Sequence, residues 1–186
     1  MNKKIVIGID ACRIKSGGGV NHVIQLLKNT NPESGNFKKI HLWSYKKLLD
    51  KLPEYDWLIK HSSDMLEKNL LCQLYWQYSK LKKSLTKSKC NILFTLDAAS
   101  LCRFYPQVVL SQETLAYDYK VRKKYIFSKE IIRIFIILIV QNFSFKKAKG
   151  IIFLSEYALN LVSKKIGSIK SYCIIPHGID EEFKIP

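Results

Sequence analysis

Lys4-Ile5-Val6-Ile7-Gly8-Ile9-Asp10 is an apolar run that precedes Gly17-Gly18-Gly19 and the amphipathic stretch 20–28. The run predicts a buried strand, and the periodic stretch predicts a helix. Glycine lets backbone N–H groups approach an anion closely, and the start of a helix adds a partial positive charge. This order of elements therefore favours an α/β unit with a phosphate-binding turn. The spacing is neither G-x-G-x-x-G nor that of a Walker loop, so a plain tight turn is the alternative.

The alternation of apolar runs and helical stretches continues along the rest of the chain. Strands are predicted at residues 4–9, 39–45, 56–61, 91–96, 107–111, 150–154 and 171–175, and helices at 19–28, 64–86, 128–147 and 156–165. Several strand candidates are continuously apolar, as in a parallel sheet that is buried on both faces. The sequence therefore predicts an α/β fold, a Rossmann-like and mostly parallel sheet with helices on both faces.

The helix predicted at residues 128–147 contains the apolar segment Ile-Ile-Arg-Ile-Phe-Ile-Ile-Leu-Ile-Val at 131–140. Its β-branched residues would also suit a strand. We predict a helix because Ser128 can cap the start, and because Lys146 and Lys147 occupy the last turn. A membrane-spanning helix needs about 20 apolar residues. This segment is therefore expected to be a buried helix or a helix that lies on a membrane surface.

The chain carries a large positive charge: 31 Lys and Arg against 15 Asp and Glu give a net charge of +16 over 186 residues. This excess favours an anionic partner, which can be nucleic acid, a phospholipid surface or a phosphorylated substrate. A compositional bias is the alternative, because the lysines are scattered. The length suits one α/β domain with a substantial core.

The cysteines and histidines predict neither a disulfide framework nor a metal site. The five cysteines are odd in number and include no C-x-x-C pair, which favours a reducing compartment. The histidines show no H-x-x-x-H or His/Cys spacing that would suggest metal ligands.

The candidate site residues lie at one rim of the predicted sheet, because ligands of such sheets bind beyond the carboxyl ends of the strands. This rim is formed by residues 11–19, 96–99, 111–119 and 154–156 and by the tail from 175 onward. Gln112 can hold a sugar hydroxyl or a phosphate oxygen, and Glu113 is the candidate catalytic base, able to take or position a proton. The alternative is that Glu113 merely opens a helix.

Asp97 is interpreted as a helix cap, and His177, between Pro176 and Gly178, can meet a ligand.

Aromatic and basic residues interleave between positions 117 and 127. The aromatic residues are Tyr117, Tyr119, Tyr125 and Phe127, and the basic ones are Lys120, Arg122, Lys123 and Lys124. This pattern suits single-stranded nucleic acid, a lipid interface, or a solvated loop whose aromatic side chains point inward. No RNP-like segment, zinc finger or clear helix-turn-helix supports nucleic acid.

Four stretches of the sequence resemble a known family when they are taken together. They are 16–27 with the glycine turn, 111–118, 143–155 (similar to S-F-x-x-A-D-G-V-I-F-L-S) and 174–180 (similar to V-I-P-N-G-V-D). In order and spacing they resemble the N-terminal half of GT-B glycosyltransferases, especially the retaining group called glycosyl transferases group 1 or family 4. The match covers nearly the whole chain.

The resemblance implies a bacterial polysaccharide or lipopolysaccharide transferase that moves a sugar from a nucleotide-sugar donor to a hydroxyl or lipid-linked acceptor. It implies no cofactor, no nucleic acid partner, and a cytoplasmic enzyme at the inner membrane face. Gly17, Gly18 and Gly19 would approach the donor diphosphate or the acceptor. Gln112 and Glu113 would line the acceptor side.

The resemblance also implies how the chain is organised. Residues 1–175 would be the acceptor-side domain, and residues 176–186, with His177, would begin the crossing to a second domain. The donor-binding domain would then be absent, so we expect the chain to be inactive alone. It would be a fragment or the product of a split gene, or a separate donor-domain chain would supply the other half. A basic segment at 120–124 would attach it to anionic lipid.

The sequence departs from the family pattern at three points. His177 stands where relatives carry Asn, Lys149 stands where they carry Asp, and the pair Gln112-Glu113 lacks a His that some relatives have. The alternatives are a non-catalytic basic module that binds nucleic acid or an anionic membrane, and a decayed remnant with no function of its own.

Overall fold

Seven strands form one sheet in the computed structural model of this chain, which describes residues 4–178. Strands β1 to β7 are Ile5–Asp10, Phe37–Trp43, Leu58–His61, Ile92–Thr95, Gln107–Ser111, Gly150–Phe153 and Tyr172–Ile174. Each overlaps one of the seven predicted strands, which are thereby confirmed within a few residues at their ends.

The strand order is β3-β2-β1-β4-β5-β6-β7, and every neighbouring pair is parallel. Ile7 of β1 lies between Ile40 of β2 and Ile92 of β4. The chain first builds the sheet outward from β1 to β3 and then returns to the other side of β1. This reversal between β1 and β4 is a topological switch point, beyond which open α/β sheets bind ligands. The predicted α/β, Rossmann-like fold is confirmed.

Eight α-helices and one π-helical turn connect the strands within residues 4–178. Helices α1 to α8 are Gly18–Lys28, Lys46–Leu49, Asp64–Glu67, Leu70–Trp76, Lys82–Lys87, Tyr119–Lys124, Glu130–Lys147 and Glu156–Ile166, and the π-helical turn is Gln77–Leu81.

The helices cover both faces of the sheet. Val23 of α1 and Leu48 of α2 share a core cluster with Ile9 of β1. On the opposite face, Leu85 of α5 fills the space beside Gly8, where a Cβ would clash with the leucine. Neighbouring residues of a strand point to opposite faces, so these two contacts place helices on the two sides of β1.

The helix predicted at residues 64–86 is not continuous, and that prediction is wrong. Lys68 has extended backbone with a ψ of −165°, which ends α3. Asn69 then caps α4 by accepting a hydrogen bond from the N–H of Cys72 at 3.1 Å. The leucine periodicity survives this break because α4, the π-helical turn and α5 continue the same apolar stripe: Leu74, Leu81 and Leu85 are buried.

The predicted helix near residues 128–147 is confirmed as α7, but its predicted cap is wrong. Lys129 occupies the N-cap position, and the hydroxyl of Ser128 donates instead to the carbonyl of Tyr125 at 3.1 Å. Ile137 and Phe145 of α7 pack in a second core cluster with strands β5 and β6. None of the helices described between residues 4 and 178 combines the length and the hydrophobicity that a membrane-spanning helix requires.

Candidate functional site

The glycine turn and the loop after β5 are in contact at the carboxyl edge of the sheet. Gly17 is the N-cap of α1, with φ 67° and ψ −154°. A Cβ at Gly19 would lie 3.0 Å from Cγ2 of Ile14 and 3.6 Å from Oε1 of Gln112. Glycine at position 19 therefore leaves room for Ile14, and the amide of Gln112 lies within van der Waals reach of the same position on α1.

Two cavities open on either side of this contact, and Gly19 and Gln112 line both. The first has a volume of about 550 Å³ and lies beyond the switch point; its charged lining residues are Arg13, Lys15, Lys68, Asp97, Glu113 and Arg133. The second has a volume of about 590 Å³ and lies along α1; its polar lining residues include Asn21, His22, Asn29 and His177. Gly18 lines the second cavity, whereas Gly17 lines neither.

Arg13 and Asp97 join the loops after β1 and β4 across the switch point. Nη2 of Arg13 lies 3.3 Å from Oδ2 of Asp97, and Nη1 donates to the carbonyl of Ala99 at 2.9 Å. The Arg13 side chain is only 9% exposed, so its guanidinium is held in place. The interpretation of Asp97 as a helix cap is wrong, because the next helix along the chain is α6, and Asp97 accepts from the N–H of Ala99 within its own loop.

Lys15 also lines the first cavity, and its side chain is held in place. Its Nζ donates to the carbonyls of Glu67 and Lys68, at 3.3 and 3.0 Å, where α3 ends. The same Nζ lies 6.0 Å from the centre of the Tyr45 ring, whose hydroxyl donates to the carbonyl of Lys15 at 2.8 Å. The break in the predicted helix thus provides the carbonyls that position this lysine.

Glu113, the candidate catalytic residue, is exposed at the rim of the first cavity. Its backbone carbonyl accepts a hydrogen bond from Nε2 of Gln141 on α7 at 3.1 Å. The alternative that Glu113 opens a helix is wrong, because α6 begins at Tyr119 and is capped by Asp118. Its carboxylate is therefore available to a ligand, although its role in catalysis stays a prediction.

His177 closes one end of the second cavity against α1. The rings of His22 and His177 are 4.7 Å apart, edge to face. Burial, and next the charge of His177, lower the pKa of His22 below its ordinary value. His22 and His177 both line the second cavity, where a hydroxyl-bearing ligand can contact either ring. Ile179 and Asp180 of the predicted crossing lie outside the described residues.

A buried acidic residue that sequence reasoning missed lies beneath the site. Asp10, only 2% exposed, accepts hydrogen bonds from the N–H of Cys12, Nε2 of Gln77 and the hydroxyl of Ser100, at 3.1, 2.8 and 3.0 Å. Burial raises the pKa of Asp10. These bonds join the loops after β1 and β4 to the π-helical turn. The sequence did offer a signal for Asp10, because a carboxylate at the end of an otherwise apolar strand needs buried hydrogen-bond partners.

The basic and aromatic segment is mostly exposed. Tyr117 alone of its four aromatic residues is buried, and its hydroxyl donates to Oδ1 of Asn142 at 2.7 Å. Tyr119 and Tyr125 are 66% and 41% exposed, and Phe127 is fully exposed. The interpretation of inward-pointing aromatic side chains therefore holds for Tyr117 and fails for the other three.

No protein-family model and no curated protein matches this sequence. The fold is similar to that of UDP-GlcNAc 2-epimerase from Methanocaldococcus jannaschii, with a TM-score of 0.47, 12% identity, and coverage of 92% of this chain and 45% of the epimerase. It is also similar to TubZ of Clostridium botulinum phage c-st, with a TM-score of 0.40, 15% identity, and coverage of 91% and 62%. This chain therefore spans less than two thirds of either protein.

The structure brings most of the predicted site residues together. Gly18, Gly19, Gln112, Glu113 and His177 surround the two cavities. Between residues 4 and 178, no group of three or more His, Cys, Asp or Glu side chains is placed to hold a metal ion. Substrate binding by these residues stays a prediction.

Proposed function

We propose that residues 1–175 are the acceptor-side domain of a GT-B-type glycosyltransferase that works in bacterial polysaccharide or lipopolysaccharide synthesis. One observation carries this proposal: the contact of Gly19 with Gln112, which divides a polar cleft at the switch point into two cavities. A two-domain transferase needs a second Rossmann-like domain across such a cleft, and the described sheet accounts for one domain.

The lining of the cleft suits a hydroxyl acceptor. The amide of Gln112 holds a sugar hydroxyl, and the carboxylate of Glu113 orients it for attack on the donor. His177 contacts the same ligand from the second cavity. The nucleotide-sugar is a substrate rather than a cofactor. As the acceptor hydroxyl bonds to the anomeric carbon, the bond from that carbon to the diphosphate breaks, and the departing nucleoside diphosphate is stabilised by backbone N–H groups and cations.

A glycan-binding experiment tests the acceptor site. We expect the labelled chain to bind bacterial surface glycans on an array that includes phosphorylated ones, and Gln112→Leu to weaken this binding at least tenfold, because a buried hydroxyl would lose its partner. Lys28→Leu changes an exposed residue of α1 outside both cavities and should bind as the wild type does. Absence of glycan binding, or equal binding by Gln112→Leu, contradicts the proposal.

The domain assignment has a separate test. We expect the purified 186-residue chain to transfer no sugar from UDP-, GDP- or dTDP-linked donors, because the donor site would belong to another domain. Sugar transfer by this chain alone would show that the assignment of residues 1–175 to the acceptor side is wrong.

We further propose that an anionic membrane surface is the partner of the basic-apolar face, which places the protein at the inner membrane. This face comprises Lys120, Lys123, Lys124, Lys129 and Arg133 with the exposed Tyr125, Ile126, Phe127, Ile132, Phe135 and Ile139. Ile132, Phe135 and Ile139 follow one another on one side of α7, and the nearby cations complement anionic lipid. Each Lys or Arg near such a surface contributes about 1 kcal/mol.

Liposome flotation tests this attachment. Replacing Lys120, Lys123 and Lys124 by Gln should cost about 3 kcal/mol of binding to anionic vesicles, and Phe127→Ser should weaken it further. The matched controls are Lys38, Lys83 and Lys87 replaced by Gln, and Leu71→Ser, because these residues are exposed elsewhere. Equal recovery with neutral and anionic vesicles contradicts the electrostatic mechanism. Release from the vesicles by single-stranded RNA would favour the alternative, a nucleic-acid-binding module.

A further inference from the structure

We propose that the first cavity is a phosphate-binding site, and that the phosphate belongs to the acceptor. Four cations line this cavity: Arg13, Lys15, Lys68 and Arg133. The lining of the cavity is sufficient to assign a phosphate. The further statement that this phosphate belongs to the acceptor rests on the proposed function. The acceptor is then a phosphorylated sugar or a phosphate-linked lipid rather than a neutral glycan.

The charges in the cavity favour an anion over a cation. Asp97 is neutralised by Arg13, which lies 3.3 Å away. Glu113 is exposed at the rim, where water screens its charge. Four cations against two carboxylates leave the lining positive. A ligand with one or two negative charges restores the balance.

Two of the cations are already in position. The guanidinium of Arg13 has five N–H donors, and Ala99 and Asp97 engage two of its nitrogens. The ammonium of Lys15 has three donors, and the carbonyls of Glu67 and Lys68 accept two of them. The remaining donors can contact a phosphate without new ordering of either side chain, which lowers the entropic cost of binding.

The other two cations stand at the entrance. Lys68 and Arg133 are exposed, and among residues 4–178 the carboxylate that pairs with Arg133 is that of the exposed Glu130, at 3.3 Å. Exposed ion pairs contribute little, so Arg133 can exchange Glu130 for a phosphate at low cost. Ile132, its neighbour on α7, is 65% exposed. A phosphate that carries a hydrocarbon chain would therefore meet an apolar helix surface next to the cavity entrance.

Calorimetric titration at constant ionic strength tests this site on the full chain. The probes are inorganic phosphate, glucose 1-phosphate and farnesyl phosphate, with glucose and farnesol as neutral counterparts. We expect saturable binding of the phosphates and none of the neutral counterparts. Tighter binding of farnesyl phosphate supports a lipid-linked source, tighter binding of glucose 1-phosphate supports a sugar phosphate, and the best binding by inorganic phosphate contradicts the acceptor assignment.

Two exposed substitutions localise the binding without endangering the fold. Arg133→Gln and Lys68→Gln should each weaken phosphate affinity about tenfold, because each removes a charge-assisted contact. Lys87→Gln removes an equal charge outside the cavity and should change the affinity less than twofold. Equal weakening by Lys87→Gln, or binding of the neutral counterparts, overturns the site. Phosphate binding without glycan binding on the array would support this site while contradicting the proposed transferase.

Discussion

At the scale of single residues, Asp10 connects more of the site than any sequence motif suggested. Its carboxylate accepts from Cys12, Gln77 and Ser100, which belong to three different segments. A buried donor that loses its acceptor costs about 1–3 kcal/mol. One side chain therefore joins the loops after β1 and β4, which contribute Arg13 and Asp97 to the first cavity.

Replacing Asp10 by Ala is expected to lower the free energy of unfolding by about 3 kcal/mol or more, because three donors lose their acceptor. Asp10→Asn keeps one acceptor oxygen and should cost less. Urea unfolding measures both. Asp56→Ala, at an exposed position, should stay within about 0.5 kcal/mol of the wild type. A loss at Asp10 no larger than that at Asp56 would contradict this account.

Gly17 and Gly18 form a natural comparison of adjacent glycines. The φ and ψ of Gly17, 67° and −154°, lie in a region that only glycine populates readily. Gly17→Ala should therefore cost about 2 kcal/mol of unfolding free energy. Gly18 is helical, with open space where a Cβ would stand, so Gly18→Ala should be neutral or stabilise by up to about 1 kcal/mol. Thermal unfolding measures the difference, and equal effects would count against the backbone argument.

At the scale of elements, strands β2 and β3 carry a pair of histidines. Nδ1 of His41 lies 2.9 Å from Nε2 of His61, and both rings stack with Trp43. Burial lowers the pKa of both histidines, and for His41 the charges of His61 and Lys39 lower it further. The folded chain therefore binds fewer protons here than the unfolded chain does.

This pair makes a pH-dependent contribution to stability. A lowered pKa in the folded state means that the contribution is complete above the ordinary value of 6.5 and is lost as the pH falls below it. The unfolding free energy should therefore decrease between about pH 7 and pH 5. His61→Gln should flatten this slope by removing one of the two titrating groups. Denaturant midpoints across this range measure it, and an unchanged slope in the variant would show that other groups cause the dependence.

At the scale of the whole molecule, the net charge of +16 opposes the compact state by self-repulsion. Within residues 4–178 only three ion pairs join a Lys or Arg to a carboxylate. Because raising the salt from 0.01 to 0.1 M shortens the screening length from ~30 to ~10 Å, the melting temperature should rise over this range. Differential scanning calorimetry measures this effect. The added salt is NaCl, because phosphate ions would also bind at the site proposed in the first cavity. A melting temperature that falls would contradict the argument.

The fold was largely predictable because its signals are local. A continuous apolar run such as Ile5–Ile9 indicates a strand that is covered on both faces, and the last three residues of β1 are buried. Parallel topology then brought the loops after the strands to one edge, which is how Gln112 and Glu113 could be predicted near the glycine turn. The errors at Ser128, Asp97 and Lys68 share one cause: each capping or helical preference is worth about 1 kcal/mol, and tertiary contacts override it.

The sequence by itself determined the class of the fold, the positions of the strands and the rim where a ligand can bind, because hydrophobic periodicity is written into consecutive residues. The tertiary structure decided which side chains meet. Arg13 donates a hydrogen bond to Ala99, which lies 86 positions away in the sequence, and Asp10 accepts one from Gln77, which lies 67 positions away. No spacing in the chain encodes such pairs, because packing of whole helices and strands, rather than local preference, brings their atoms within hydrogen-bonding distance.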